Sequence, residues 1–170
     1  MKIIKLLILT VLLCSINASA EIKGGGYVEF STGAALQESC SAGLVGISGA
    51  GGIKINSNVF IGMGTGIELG VGYYSTSVII PIFATTKFKL IPKSEIAPYI
   101  EIKGGVAYPT NRDEILGDYN SKYYYESPIM GYVAPSVGIT FNKFNLGIGY
   151  TGFFTDKKFH YLVGKFGFNF

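Results

Sequence analysis

Tryptophan is absent from the 170 residues, histidine occurs once, cysteine twice, and only 15% of positions are charged. Each shortage removes a class of function. One His and two Cys, the latter at Cys14 and Cys40, offer no ligand spacing that holds zinc. Lys and Arg total 14 against 11 Asp and Glu, which leaves no basic footprint for nucleic acid. Long hydrophobic runs are missing too. Beyond Ile16 nothing approaches the roughly 20 consecutive apolar residues of a spanning helix, so a helical membrane bundle is excluded. Disorder is excluded in turn, because 48% of residues are hydrophobic and the mean hydropathy is +0.38. Such a chain has ample surface with which to bury a core. A single domain with dispersed hydrophobicity remains, and sheets disperse it.

The N-terminus accounts for part of the apolar excess. Lys2 and Lys5 flank a short positive segment, Leu6 to Ile16 is apolar, and Ala18-Ser19-Ala20 supplies small residues at the cleavage positions. Residues 1–20 therefore read as a secretory signal peptide and 21–170 as the mature domain. Lipidation at Cys14 is disfavoured by bulky Leu13, which stands where a small residue should precede the modified cysteine. Without Lys2 and Lys5 the mature chain carries 12 basic residues against 11 acidic. Cys40 is then alone, so no intramolecular disulfide forms even in an oxidising compartment.

The mature chain alternates with period two, the strand signature. In its last segment His160, Leu162, Gly164, Phe166, Phe168 and Phe170 share one face, with Tyr161, Val163, Lys165, Gly167 and Asn169 opposite. Ile100, Ile102, Val106 and Tyr108 oppose Glu101, Lys103, Gly105 and Ala107 in the same way. Ile61, Met63, Ile67 and Leu69 oppose Gly62, Gly64, Gly66 and Glu68. Charges keep to one parity. The pattern predicts strands over 27–35, 44–55, 59–73, 78–90, 99–108, 130–141, 146–154 and 159–170. The connections after the second, fourth and sixth are turn-like (56–58, 92–98 and 142–145), and the longest, 110–128, follows the fifth.

Tight turns at one end and the longest loop at the other match a transmembrane β-barrel. A soluble barrel would turn its Ile, Val, Leu and Phe parity inward. Eight strands with that parity in water would expose far more than the ~300–600 Å² apolar patch that soluble monomers tolerate. The reading is therefore an all-β, eight-stranded, antiparallel up-and-down transmembrane barrel with the charged parity inside. Pro81 and Pro135 fall inside strands, where each removes a ladder donor, so bulges or local register irregularities are expected there. Tyr73, Tyr108, Tyr150, Phe141 and Phe170 fall near strand ends, where amphipathic rings favour the interface.

The terminal Lys165-Phe166-Gly167-Phe168-Asn169-Phe170 puts aromatics at alternate positions and ends in Phe, and Pro81-Ile82-Phe83-Ala84-Thr85-Thr86-Lys87-Phe88-Lys89 precedes a turn. On these residues the chain resembles the small eight-stranded outer-membrane proteins of Gram-negative bacteria. These are the OmpA-transmembrane-domain and OmpX-like class and the porin-family β-barrel proteins. The resemblance covers the whole mature chain. It implies an integral outer-membrane location with both termini periplasmic, contact with outer-membrane lipid and lipopolysaccharide, and a monomer. It also implies recognition by the barrel-assembly machinery and periplasmic chaperones, with Phe166, Phe168 and Phe170 as the assembly signal. No cofactor is implied.

The constellation with chemical content is the inward charge: Glu29, Glu68 and Glu101 against Lys54, Lys87, Lys89, Lys103 and Lys165. An eight-stranded barrel has an interior just wide enough for side chains, so these groups must pair or hold water. Gly62, Gly64, Gly66 and Gly70 could leave room for that water or for Tyr27, Phe83, Tyr99 and Tyr132. Some small outer-membrane barrels that this chain resembles are lipid A acyltransferases or deacylases using a His with a nearby Ser. Here the only base is His160, and Leu162 stands where that pattern needs Ser, so no enzyme is expected. Gly147-Ile148-Gly149-Tyr150-Thr151-Gly152 has dinucleotide-binding spacing but lies within a strand and leads to no helix. The long connection holds Asp113, Glu114, Tyr119, Tyr123, Tyr124 and Tyr125, and loop tyrosines suit recognition. The expectation is a structural or surface-interacting barrel. A narrow gated ion or small-solute pore is the alternative, and an adhesin or receptor acting through 110–128 is a third.

Overall fold

The computed structural model describes residues 22–36, 43–71, 76–91, 94–110, 129–155 and 158–170. The leader over 1–20, Cys40, Tyr73 at the end of the expected third strand, and the loop residues Asp113, Glu114, Tyr119, Tyr123, Tyr124 and Tyr125 lie outside them. Eight strands follow in chain order: β1 Lys23–Ala35, β2 Gly43–Lys54, β3 Val59–Val71, β4 Thr76–Lys89, β5 Ile96–Pro109, β6 Met130–Phe141, β7 Phe144–Phe154 and β8 Lys158–Asn169. Each pairs antiparallel with the next, and β1 pairs with β8, so the sheet closes. Closure satisfies both edges, which an open sheet in hydrocarbon could not do. At the seam Gly26 and Phe170 exchange two backbone hydrogen bonds, at 3.1 and 3.0 Å.

The register fixes the barrel's shape. Moving from partner to partner around the wall, Lys23 leads through Lys54, Phe60, Lys87, Glu101, Ser136, Gly149 and Val163 back to β1 at Gly33, ten residues on. With eight strands, that stagger tilts them by about 40° from the axis, given a rise of ~3.3 Å and a spacing of ~4.8 Å. The interior is correspondingly narrow.

Connections of 55–58, 90–95 and 142–143 close one end, where β1 begins and β8 ends. Strands β1, β3, β5 and β7 end at the other. The β6–β7 turn is shorter than the sequence suggests: Asn142 takes the left-handed region at φ 53°, which Asn tolerates better than most residues, and β7 begins at Phe144. Asn145 is thereby a wall residue with its side chain buried inside.

The expected irregularity at the two prolines is only partly observed. Pairing skips two positions of the β3–β4 ladder opposite Pro81 and two of the β6–β7 ladder at Pro135. Register is the same on both sides of each gap, so neither strand bulges. Each proline keeps its pairing on the other neighbour, with Ala107 and Ile102 respectively. One missing donor interrupts a ladder without adding a residue to it.

The period-two pattern sorts the wall by face. Ile67, Ile82, Ile102, Val137, Ile148 and Phe166 stand outward and exposed, and Met63 reaches 69%. Tyr27, Phe83, Tyr99, Tyr132, Phe153 and Tyr161 are buried inside. Phe83, Tyr132 and Phe153 pack ring to ring with centroids 5.8 and 5.6 Å apart, and Phe153 meets Tyr161 edge-on. Wall glycines make room for these rings: a Cβ on Gly64 would stand 2.7 Å from Phe83, and one on Gly147 would stand 2.6 Å from the Tyr99 hydroxyl. Of Gly62, Gly64, Gly66 and Gly70, Gly64 makes room for one of the four expected rings, Phe83, whereas a Cβ on Gly66 would meet Ser48 and one on Gly70 would meet Ser77.

Candidate functional site: the charged lumen

Six of the eight inward charges are buried together: Glu29, Glu68, Glu101, Lys87, Lys103 and Lys165. The barrel places them on five strands, β1, β3, β4, β5 and β8. Lys103 from β5 donates to Glu29 Oε1 on β1 at 2.7 Å, and Lys165 from β8 approaches the same oxygen at 3.4 Å. Strands β1 and β5 are four apart in a ring of eight, so the first bond spans the lumen's diameter. Lys103 also donates to Ser48 Oγ on β2, at 3.2 Å.

Below this brace, toward the short turns, Lys87 and Glu101 are cross-strand partners with Nζ 4.0 Å from Oε1. The Glu101 carboxylate accepts from Thr85 Oγ1 at 3.1 Å and Ser136 Oγ at 3.4 Å, one bond on each oxygen. The Lys87 ammonium makes no hydrogen bond and lies 4.5 Å from the ring centroids of both Tyr27 and Tyr99. Two aromatic faces stand in for a second anion. Above the brace, Glu68 accepts from the Tyr132 hydroxyl at 3.2 Å, and its Oε2 has no partner. Gly46 gives the Glu68 side chain its space, since a Cβ there would stand 2.8 Å from Cγ.

The layers differ in chemistry. Toward the long-loop end the lumen is filled by Leu44, Ile79, Met130, Phe153 and Tyr161. Toward the short turns, Asn145 and Asn169 exchange amide hydrogen bonds at 2.8 and 3.0 Å, and Thr140 donates to Asn145 at 2.8 Å. The charges are held between an apolar plug and a polar floor.

Lys54 and Lys89 depart from expectation. Both keep the inward parity, but they sit half-buried at the short-turn mouth and pair with none of the three glutamates. Parity specifies a face; height along the strand decides which charges meet. The inner network is therefore balanced, with three carboxylates and three ammoniums, whereas the sequence counts five ammoniums. Ser48, Ser136 and Tyr132 complete it as hydrogen-bond partners that the charge pattern alone does not single out. Their common signal is polar chemistry on the charged parity.

His160 lies on the outer face of β8, stacked on Tyr150 and hydrogen-bonded through Nδ1 to its hydroxyl. Phe154 meets the imidazole edge-on. The next residue on that face is Leu162, 57% exposed. The glycine run from Gly147 to Gly152 lies wholly within β7. Among the described residues no three His, Cys, Asp or Glu side chains converge as metal ligands. Phe166, Phe168 and Phe170 all project outward, with Phe144 stacked on Phe166 and edge-on to Phe168.

A closed wall with an apolar exterior and a charged, filled interior defines the class: an eight-stranded transmembrane β-barrel. Among the described residues no helix is long and apolar enough to cross a membrane, but crossing by strands needs none. Solved structures carry the same fold. The Neisserial surface protein A (NspA) is similar at a TM-score of 0.59 and 13% identity, covering 88% of this chain and 99% of its own. The outer membrane enzyme PagL is similar at 0.58 and 12%, covering 84% and 98%. The N-terminal β-barrel domain of Pseudomonas aeruginosa OprF is similar at 0.52 and 15%, covering 87% and 100%. No protein-family model matches the chain, and no curated protein sequence is significantly similar to it. The fold is that of the small outer-membrane barrels.

Proposed function

We propose that the protein is a non-enzymatic integral outer-membrane barrel with a structural or surface-interacting role, whose lumen is sealed rather than conducting. The observation that carries this reading is the Lys103–Glu29 bond at 2.7 Å across the full diameter of the barrel. A solute path through that level would have to break a buried, hydrogen-bonded ion pair, and Phe153 and Tyr161 fill the lumen above it. The outward Ile, Val, Leu and Phe belt supports membrane insertion, with lipid and lipopolysaccharide as its surroundings. The outward Phe166, Phe168 and Phe170 are available to the assembly machinery and chaperones. A non-enzymatic role is supported by Leu162, the next residue on the outer face after His160, which stands in place of a serine nucleophile.

Single-channel recording of the refolded mature chain in a planar bilayer tests the sealed lumen. The reading predicts silence from verified, folded protein. Discrete, salt-dependent steps that change on replacing Glu68 or Lys87 would favour the gated pore instead.

A further inference from the structure

The balanced inner network leaves Lys54 and Lys89 without an acid. Neither makes an ion pair or side-chain hydrogen bond among the described residues. Both are held on a fixed frame at the short-turn mouth. The Lys89 N–H donates to the Asn58 carbonyl at 2.7 Å, and the Lys89 carbonyl accepts from Asn58 Nδ2 at 3.3 Å. Asn58 belongs to the turn that follows Lys54, and that turn is set by Asn56 Oδ1, which accepts from the N–H groups of Asn58 and Val59 at 2.8 Å each. The Lys54 side chain folds over Gly25, where its Nζ would lie 2.8 Å from a Cβ. Gly25 therefore admits the ammonium to the mouth. The register sets it two strands from Lys89 on the same inward face: Lys54 is opposite Phe60, Phe60 opposite Lys87, and Lys89 bonds to Asn58 in the turn between β2 and β3.

A cavity of about 530 Å³ opens beside Lys89, which lines it with Ser94, Glu95, Thr140 and Asn142, and with Ala97 and Phe141. Glu95 is exposed and forms no ion pair with Lys89. The Thr140 hydroxyl is committed to Asn145, which leaves the Ser94 hydroxyl and the lysine ammoniums as donors. Two ammoniums without an acid at one half-buried mouth are stabilised by an anion that enters it.

We propose that the short-turn mouth of the barrel is a binding site for a phosphate- or carboxylate-bearing anion, held by Lys54 and Lys89 with Ser94 at its edge. The ligand is small, since the Thr140–Asn145–Asn169 floor closes the lumen behind it. The inward parity of both lysines puts the site on the lumen side of the wall and favours a soluble anion over a lipid headgroup.

The test uses the mature barrel folded in an uncharged glucoside detergent, isotopically labelled and titrated with inorganic phosphate. Saturable amide shifts at Asn58, Lys89 and Ser94 are expected. Lys54→Gln and Lys89→Gln should each weaken binding about tenfold, while Lys143→Gln, on the exposed β6–β7 turn, should leave it unchanged. A second arm replaces phosphate with nanodiscs containing phosphatidylglycerol. Saturation at the same three residues there would assign the phosphate to a lipid and keep the site. Non-saturating shifts at every rim lysine including Lys143, or unchanged binding in the Lys54→Gln/Lys89→Gln double variant, would overturn the proposal. The folded state of each variant is checked by its gel mobility before and after boiling.

Discussion

Lys103 and Glu29 stand on opposite walls of the barrel, 74 residues apart in sequence, and their side chains meet at 2.7 Å. Glu29 also holds Lys165, at 3.4 Å, so one carboxylate oxygen serves two ammoniums. The arrangement is asymmetric, and the asymmetry is measurable. Glu29→Gln leaves two buried ammoniums without their carboxylate and should cost about 3–5 kcal/mol of stability in urea unfolding from vesicles. Lys103→Met leaves Glu29 its second lysine and should cost clearly less. Equal losses would mean that Lys165 does not share the carboxylate.

Glycine substitutions should separate the tight wall from the open one. At Gly64 a Cβ would stand 2.3 Å from the Gly49 carbonyl oxygen as well as against the Phe83 ring, so Gly64→Ala should lose about 1–3 kcal/mol. Gly51, on the outward parity, has nothing within 4 Å of that position. Gly51→Ala should be neutral or slightly stabilising by the same unfolding assay.

A charge placed outside should report depth in the membrane. Ile102 is outward in the middle of β5 and Ile96 is outward at its short-turn end. Arginine at 102 should cost about 2–4 kcal/mol and at 96 about 0–1 kcal/mol, as expected between the midplane and an interface. Similar costs at both positions would argue against a lipid belt.

Incubation of the folded protein with lipopolysaccharide or phospholipid vesicles should release no fatty acid. Release that disappears in His160→Asn would contradict the non-enzymatic reading and return attention to the Tyr150–His160 pair.

Deleting Phe170 removes both backbone bonds to Gly26 and the ring that covers Gly26. Insertion in cells should fall sharply, while refolding in detergent persists with a lowered urea midpoint. Normal insertion in cells would remove the assembly role.

The fold is legible in this sequence because strand parity has a period of two and the two solvents differ so strongly. Ile102 beside Lys103, or Phe166 beside Lys165, already states which face meets lipid. What parity omits is height and stagger. Lys54 and Lys89 share their face with Lys87 yet lie at the mouth, and only the ten-residue stagger brings Lys103 across to Glu29. Asn145 was obscured for another reason: asparagine beside Asn142-Lys143 reads as turn chemistry, whereas its amide is buried against Asn169. Pro81 and Pro135 announce a local irregularity in the sequence, and each does interrupt one ladder by two positions; no bulge accompanies it, because a lost donor adds no residue to the strand.

The inside-out wall is the claim on which the rest depends, and site-directed spin labelling measures it most directly. Single labels at Ile67, Ile102, Val137, Ile148 and Phe166, introduced as cysteines in a Cys40→Ser background and reconstituted in vesicles, are exposed to oxygen and to a water-soluble nickel chelate. The account predicts high oxygen and low nickel accessibility at all five positions. Nickel accessibility at these sites in a verified folded barrel would contradict it.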